Sequence, residues 1–324
     1  MFFGKWLRIN VMNMPRIVIS LFIIFYSFGL QAQSFDQTNV VTQLAQIMDR
    51  NYVFPEKGKA MSDLILSKLK NGEYKAIESP DDLAKRLDAD LKSVANDKHI
   101  RVNYNPTRFE AIQQGSPTGG RPAQGNYGFE EVDILEGNIG YLDLRGFSDI
   151  RFAEEVAKAA MDKLIQSDAI IFDLRKNGGG SPSMIRFISS YLFGDQPVHL
   201  NTFYWRPSDR YSETWTAPEL VSVYKPNVPV YVLTSSYTFS AAEEFTYNLK
   251  NLKRATIIGE TTGGGAHPGG PMLLTDGFIV NVPQGRAINP ITKTNWEGVG
   301  VKPNIEIKAD AALDKALELI KAKN

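Results

Sequence analysis

The chain has 324 residues, with 36 Lys plus Arg against 36 Asp plus Glu, 43% hydrophobic residues and no cysteine. Balanced charge with no long run of one sign argues against a nucleic-acid footprint or a polybasic membrane patch, and the apolar content argues against disorder along the whole length. Without cysteine there is no disulfide, no thiolate nucleophile and no acceptor for a lipid anchor, so any covalent catalysis falls to oxygen.

In chain order, Lys5, Arg8 and Arg16 precede an apolar run at 17–30, followed by Gln31, Ala32 and Gln33. A basic segment, a short apolar segment and a small residue at a cleavage point read as a secretory signal peptide over 1–32. The run is shorter than the roughly 20 apolar residues that span a bilayer, although an uncleaved N-terminal anchor is the competing reading. The expectation is an exported protein, periplasmic or extracellular, with no membrane attachment in its mature form.

Residues 33–105 carry helical periodicity in VVTQLAQIMDRNYVF, AMSDLILSKLKNG and SPDDLAKRLDADLKSV, with Ser79 and Pro80 as a helix-start signal. They predict a small helical lobe. From 106 to 137 the composition shifts to Gly, Pro, Gln and Ser, which predicts a linker or lid loop too short for another domain. From 138 to 324 strand and helix signals alternate: NIGYLDLRGF, FAEEVAKAAMDKLIQ, AIIFDLR, SPSMIRFISSYLF, VHLNTFYWR, VPVYVLTS, SAAEEFTYNLKNLK, ATIIGE, two strands in PMLLTDGFIVNVPQG, and a closing amphipathic helix. Such alternation predicts an α/β core whose sheet is covered by helices.

Ser240 falls between the strand VPVYVLTS and the helix that opens with Ala241, Ala242 and Glu243. A hydroxyl there lies beside unpaired backbone N–H groups and the positive end of a helix dipole, a setting that suits a nucleophile. The competing reading is a capping box, with Ser240 as cap and Glu243 reaching back. Two glycine turns weigh toward chemistry: Asp173-Leu174-Arg175-Lys176-Asn177-Gly178-Gly179-Gly180 and Gly263-Gly264-Gly265 before His267. Glycine lets backbone N–H groups turn toward a ligand, so Ala241 N–H with Gly179 or Gly180 N–H forms a candidate oxyanion hole. A phosphate-cradling loop would need a Gly-Lys-Ser/Thr ending that is absent. Three histidines, His99, His199 and His267, scattered along a chain without cysteine offer no compact ligand set, so neither a metal nor another cofactor is expected.

Together, Thr238-Phe239-Ser240-Ala241-Ala242-Glu243-Glu244-Phe245, the 254–268 stretch RATIIGETTGGGAHP, the DLRKNGGG turn and Trp296-Glu297-Gly298-Val299-Gly300-Val301-Lys302-Pro303 resemble the tail-specific serine peptidases. The resemblance is narrower to the branch with the interphotoreceptor retinoid-binding protein repeats and the tricorn protease core. It implies a Clp-protease/crotonase-like core of ββα units after a helical lobe, without the PDZ domain that many relatives insert. It also implies a serine-type peptidase that cleaves peptide bonds near unstructured C-termini, with a peptide or unfolded protein as substrate. On the same fold, a non-catalytic carrier of apolar ligands or a small-acyl esterase or amidase is the alternative. Oligomeric state is left open.

A serine hydroxyl needs a base within reach. The lysine of the best-known tail-specific enzymes is replaced here by Gly265, whereas the tricorn-like branch uses histidine. His99, in Asn96-Asp97-Lys98-His99-Ile100-Arg101, resembles that branch's histidine segment and is the expected base, with His267 as the alternative. His199 lies apart from any motif and is expected to be structural. Glu297 matches the glutamate that assists the histidine in tricorn-like sites; its competing reading is a turn glutamate on the surface. Where those sites place an intermediary serine just before the histidine, this chain has Lys98, so either Glu297 reaches His99 directly or the relay runs differently.

Overall fold

Each of the first three helices begins where the sequence supplies a start signal. Asp36 caps α1 (Gln37–Asn51) by accepting from Asn39 N–H at 3.0 Å, proline opens α2 (Pro55–Lys70), and Ser79 caps α3 (Pro80–Val94). The computed structural model describes residues 35–116 and 125–323. The expected signal peptide and residues 117–124 of the expected lid lie outside the described residues.

After α3 come β1 (Arg101–Tyr104), α4 (Pro106–Gln113), β2 (Phe129–Leu135), β3 (Ile139–Leu144), α5 (Ile150–Leu164), β4 (Ala169–Asp173), α6 (Pro182–Ser190), β5 (His199–Trp205) and β6 (Arg210–Trp215). The chain continues through β7 (Val230–Thr234), α7 (Ala241–Asn251), β8 (Thr256–Gly259), β9 (Gly269–Leu273), β10 (Phe278–Pro283), β11 (Gly285–Ile288), β12 (Ile305–Glu306) and α8 (Ala312–Lys321).

Six strands form the central sheet in the order β12-β8-β7-β4-β3-β2, parallel throughout except for the antiparallel β2–β3 pair. Every residue of β4 and β7 is buried, as expected for parallel strands covered on both faces. On one face, α5, α6 and α7 pack through Ala157, Leu164, Ile188 and Phe245 onto Phe172 and Val232. On the other, Ala312, Ala316 and Ile320 of α8 cover Ile171, Tyr231 and Ile258. This is the mixed α/β layering that the alternation of elements predicts.

The N-terminal helices are joined to the core rather than hung from it. β1 pairs antiparallel with β10, Val102 facing Val280, and one apolar cluster runs from Leu44, Met48 and Leu87 into Phe278, Val280 and Val282. His99, between α3 and β1, is thereby held against the core. The segment read as linker contains all of α4 and β2, and no sequence signal marks β6. β6 is exposed along almost its whole length, so it lacks the apolar alternation that marks a strand in sequence.

Candidate active site

Ser240 stands at the start of α7 with φ 56° and ψ −119°, a backbone conformation that costs a non-glycine residue about 1–3 kcal/mol and persists only under tertiary restraint. The restraint is visible on both sides. Upstream, Thr238 and Ser235 hydroxyls donate to Leu174 and Arg175 carbonyls at 2.8 and 2.6 Å, and Phe239 N–H donates to Asn177 O at 3.1 Å. These bonds tie the serine loop to the first glycine turn. Downstream, the Glu243 carboxylate accepts from Ser240 N–H at 2.8 Å, the returning half of the capping box.

Glu243 does more than cap. It also accepts from Gly265 N–H at 2.8 Å, Gly264 N–H at 2.6 Å and the Thr262 hydroxyl at 2.5 Å. Burial pushes this carboxyl up, against the pull of those donors. Since every partner donates, the geometry accepts the ionised form. One buried carboxylate therefore fixes the serine backbone to the second glycine turn.

His99 Nε2 lies 3.0 Å from Ser240 Oγ, within hydrogen-bond distance. The imidazole packs against the Phe239 ring at 4.7 Å between centroids. A side chain at Gly265 would put its first carbon 2.7 Å from His99 Cε1 and into the Phe239 ring, so glycine is needed there for the imidazole to sit where it does. Burial, aided by His267, pushes the His99 pKa down to about 4 despite the nearby Asp97. The ring is therefore neutral at pH 7 and free to accept a proton. Its Nδ1 is buried without a hydrogen-bond partner, and the Asp97 carboxylate comes within 3.8 Å of it.

Asp97 heads a second buried network. Its Oδ1 accepts from His99 backbone N–H at 2.9 Å, and its Oδ2 accepts from the Tyr52 hydroxyl at 3.2 Å and from His267 Nδ1 at 2.7 Å. Burial would raise this carboxyl, but the bond and charge of His267, with the His99 N–H, hold it below its ordinary range. Glu297 lies beyond, with Oε2 3.5 Å from His267 Nδ1 and 2.5 Å from Ala266 N. Burial, and then the Asp97 charge, push Glu297 up.

The structure thus brings Ser240 and His99 together and sets the other candidates around them. His267, the alternative base, bonds to Asp97 rather than to Ser240. Glu297 is three-quarters or more buried rather than a surface residue, and its bonds run to Ala266 and His267 rather than to His99. Lys98 reaches the Gly263 carbonyl at 2.6 Å. His199 stacks on Trp215 and bonds to Thr202, a structural setting. Among the expected oxyanion donors, Gly179 N–H is taken by Asn177 Oδ1 at 2.8 Å. Ala241 and Gly180 N–H donate to no acceptor among the described residues. A side chain at Gly179 would meet Ser240 Cβ at 2.8 Å and Ala241 N at 3.1 Å, so this turn lies directly on the serine.

Two further differences stand against the sequence reading. Asp97, Tyr52 and the wider role of Glu243 were not anticipated; the one available signal was a carboxylate two residues before the expected base. Scattered histidines suggested no compact ligand set, yet the ligand atoms of Asp97, His267 and Glu297 lie within 4.8 Å of one another and are the described residues able to hold a metal ion. Their closest approach, 2.7 Å between Asp97 and His267, is a hydrogen bond.

A strained serine at a helix start, an imidazole at hydrogen-bond distance from its hydroxyl and free backbone donors beside it form the arrangement that serine hydrolysis requires, on an α/β scaffold. The chain belongs to Peptidase family S41, which it matches over residues 138–307, and is thereby a serine-type peptidase by family. Residues 32–126 match the model described as the N-terminal domain of this peptidase in eukaryotic IRBP. Among solved structures, the chain is similar to a putative peptidase from Parabacteroides merdae, at 20% identity and TM-score 0.63 over 90% of this chain and 98% of that one. It is also similar to the photosystem II D1 C-terminal processing protease, at 16% identity and TM-score 0.54 over 86% and 95% of the two chains. A putative S41 protease from Bacteroides fragilis matches at 23% identity and TM-score 0.53 over 61% of this chain, and the match spans only 58% of that protein's length. At these identities the likeness is one of fold.

Proposed function

We propose that this chain cleaves peptide bonds by acyl transfer through Ser240, with His99 as general base and acid. The observation that carries the reading is the 3.0 Å approach of His99 Nε2 to Ser240 Oγ. Ser240 Oγ bonds to the scissile carbonyl carbon while its proton passes to His99 Nε2. Ala241 N–H and Gly180 N–H receive the oxyanion, each such donor being worth about 3 kcal/mol in the transition state. As the carbon–nitrogen bond breaks, His99 returns the proton to the leaving amine. Water then attacks the ester, gives a proton to His99, and the serine hydroxyl is restored as the acid product leaves. Glu297 acts at a distance, through His267 and Asp97.

The substrate we propose is the unstructured C-terminal part of a protein. Gly178, Gly180, Lys98 and Tyr237 are exposed beside the partly buried serine, which leaves that side open to an extended chain. The chain acts outside the cytoplasm after loss of 1–32, an expectation that N-terminal sequencing of the exported protein checks.

Fluorophosphonate labelling tests the reading, because only an activated serine reacts. The wild type should label at Ser240 and hydrolyse unstructured peptides, whereas Ser240→Ala should do neither. A folded wild type inert to the probe would leave a carrier, and turnover of small esters without peptide cleavage would leave an esterase.

A further inference from the structure

Only one histidine takes and returns the proton in the mechanism above, yet a second is buried behind it. His267 is 5% exposed, and its Nδ1 faces two carboxylates, Asp97 at 2.7 Å and Glu297 at 3.5 Å. The groups gathered there come from four separate parts of the chain: Tyr52 after α1, Asp97 and His99 after α3, His267 before β9, and Glu297 after β11. The Phe54 ring closes the remaining side at 5.2 Å. An apolar side chain would fill such a position at less desolvation cost, so a buried imidazole between two acids calls for a reason beyond packing.

The bonding of Asp97 supplies it. Its Oδ1 faces His99, through the backbone N–H and toward the partnerless Nδ1, while Oδ2 is held from behind by His267 and Tyr52. We propose that His267 is a positioning residue for the acyl-transfer reaction: its Nδ1–H clamps Asp97 in the orientation that serves His99. This rests on the Ser240–His99 reading. His267 is also one of the influences that hold the His99 pKa down, and Asp97 works the other way. This positioning role could not be read from the sequence neighbours of His267, because Asp97 is 170 positions away.

The test compares wild type, His267→Ala and His267→Asn in peptide turnover and in fluorophosphonate labelling across pH. Asparagine can place an amide N–H near the position of Nδ1 but never carries charge; alanine supplies neither. For His267→Ala, kcat should fall about ten- to a hundredfold with KM within about twofold, since the lost interaction acts on the reacting groups and not on substrate binding. His267→Asn should recover most of that rate, because its amide N–H can still hold Asp97. Wild-type kcat in both variants, or a rate for His267→Asn as low as that of His267→Ala, overturns the clamp. Should the alanine variant fail to fold, the asparagine variant decides alone. The two readings fail differently. If wild type labels at Ser240 and the variants match it, only the His267 proposal falls; if wild type does not label, both fall.

Discussion

The two flanks of Ser240 each contain a buried carboxylate, and they are built to opposite ends. On the helix side, Glu243 accepts four hydrogen bonds, three of them from backbone N–H groups, so it has no freedom left. On the histidine side, His267 Nδ1 faces both Asp97 and Glu297, and His99 keeps an unpartnered nitrogen. A saturated network rigidifies, whereas an unsaturated one stays responsive to proton transfer. The serine is thus held by one side and served by the other.

Removing the rigid side should have the largest effect. Glu243→Ala leaves four donors buried without an acceptor, and the expected loss is about 4 kcal/mol of unfolding free energy, read from the midpoint of urea unfolding. Peptidase activity should fall with it. A variant of unchanged stability would mean that the second glycine turn is held by something else.

Acid titration sharpens the contrast from the other side. The folded His99 pKa of about 4 lies below its ordinary 6.5, so the unfolded chain binds this proton more tightly. The resulting stability is fully present above pH 6.5 and is lost as pH falls from there toward 4, an expected total of about 3 kcal/mol from this group. Urea unfolding between pH 7 and 4 of wild type against His99→Gln isolates it: the variant should show the shallower slope. Equal slopes would mean that the folded imidazole titrates normally.

Gly265 belongs to both flanks, since its N–H donates to Glu243 while its α-carbon lies against His99 and Phe239. Gly265→Ala should displace the imidazole and cost about a hundredfold in kcat/KM, equivalent to about 2.7 kcal/mol, with a smaller change in stability. A variant as active as wild type would show that the His99 ring has room to move. The same crowding explains why no lysine serves from this position: the space is filled by two rings.

Much of the architecture was legible because it is local. Helix starts at Ser79 and Pro80, the apolar runs of β4 and β7, and the serine at the head of an Ala-Ala-Glu helix all express short-range chemistry. The pairing of β1 with β10 was not legible, because register between distant strands is set by packing. Similarly, Glu243 advertised only its capping role, since its other donors lie 19 to 22 residues further on.

By itself the sequence determined which chemistry was possible: an oxygen nucleophile, a histidine base, glycine turns that expose backbone donors, and no thiol. Only the tertiary structure decided which histidine touches Ser240 and which one stands behind Asp97. The imidazoles are identical in composition and differ only in their neighbours, which are brought from separate stretches of chain. Burial and charge at those two places, rather than residue type, set the two imidazoles apart.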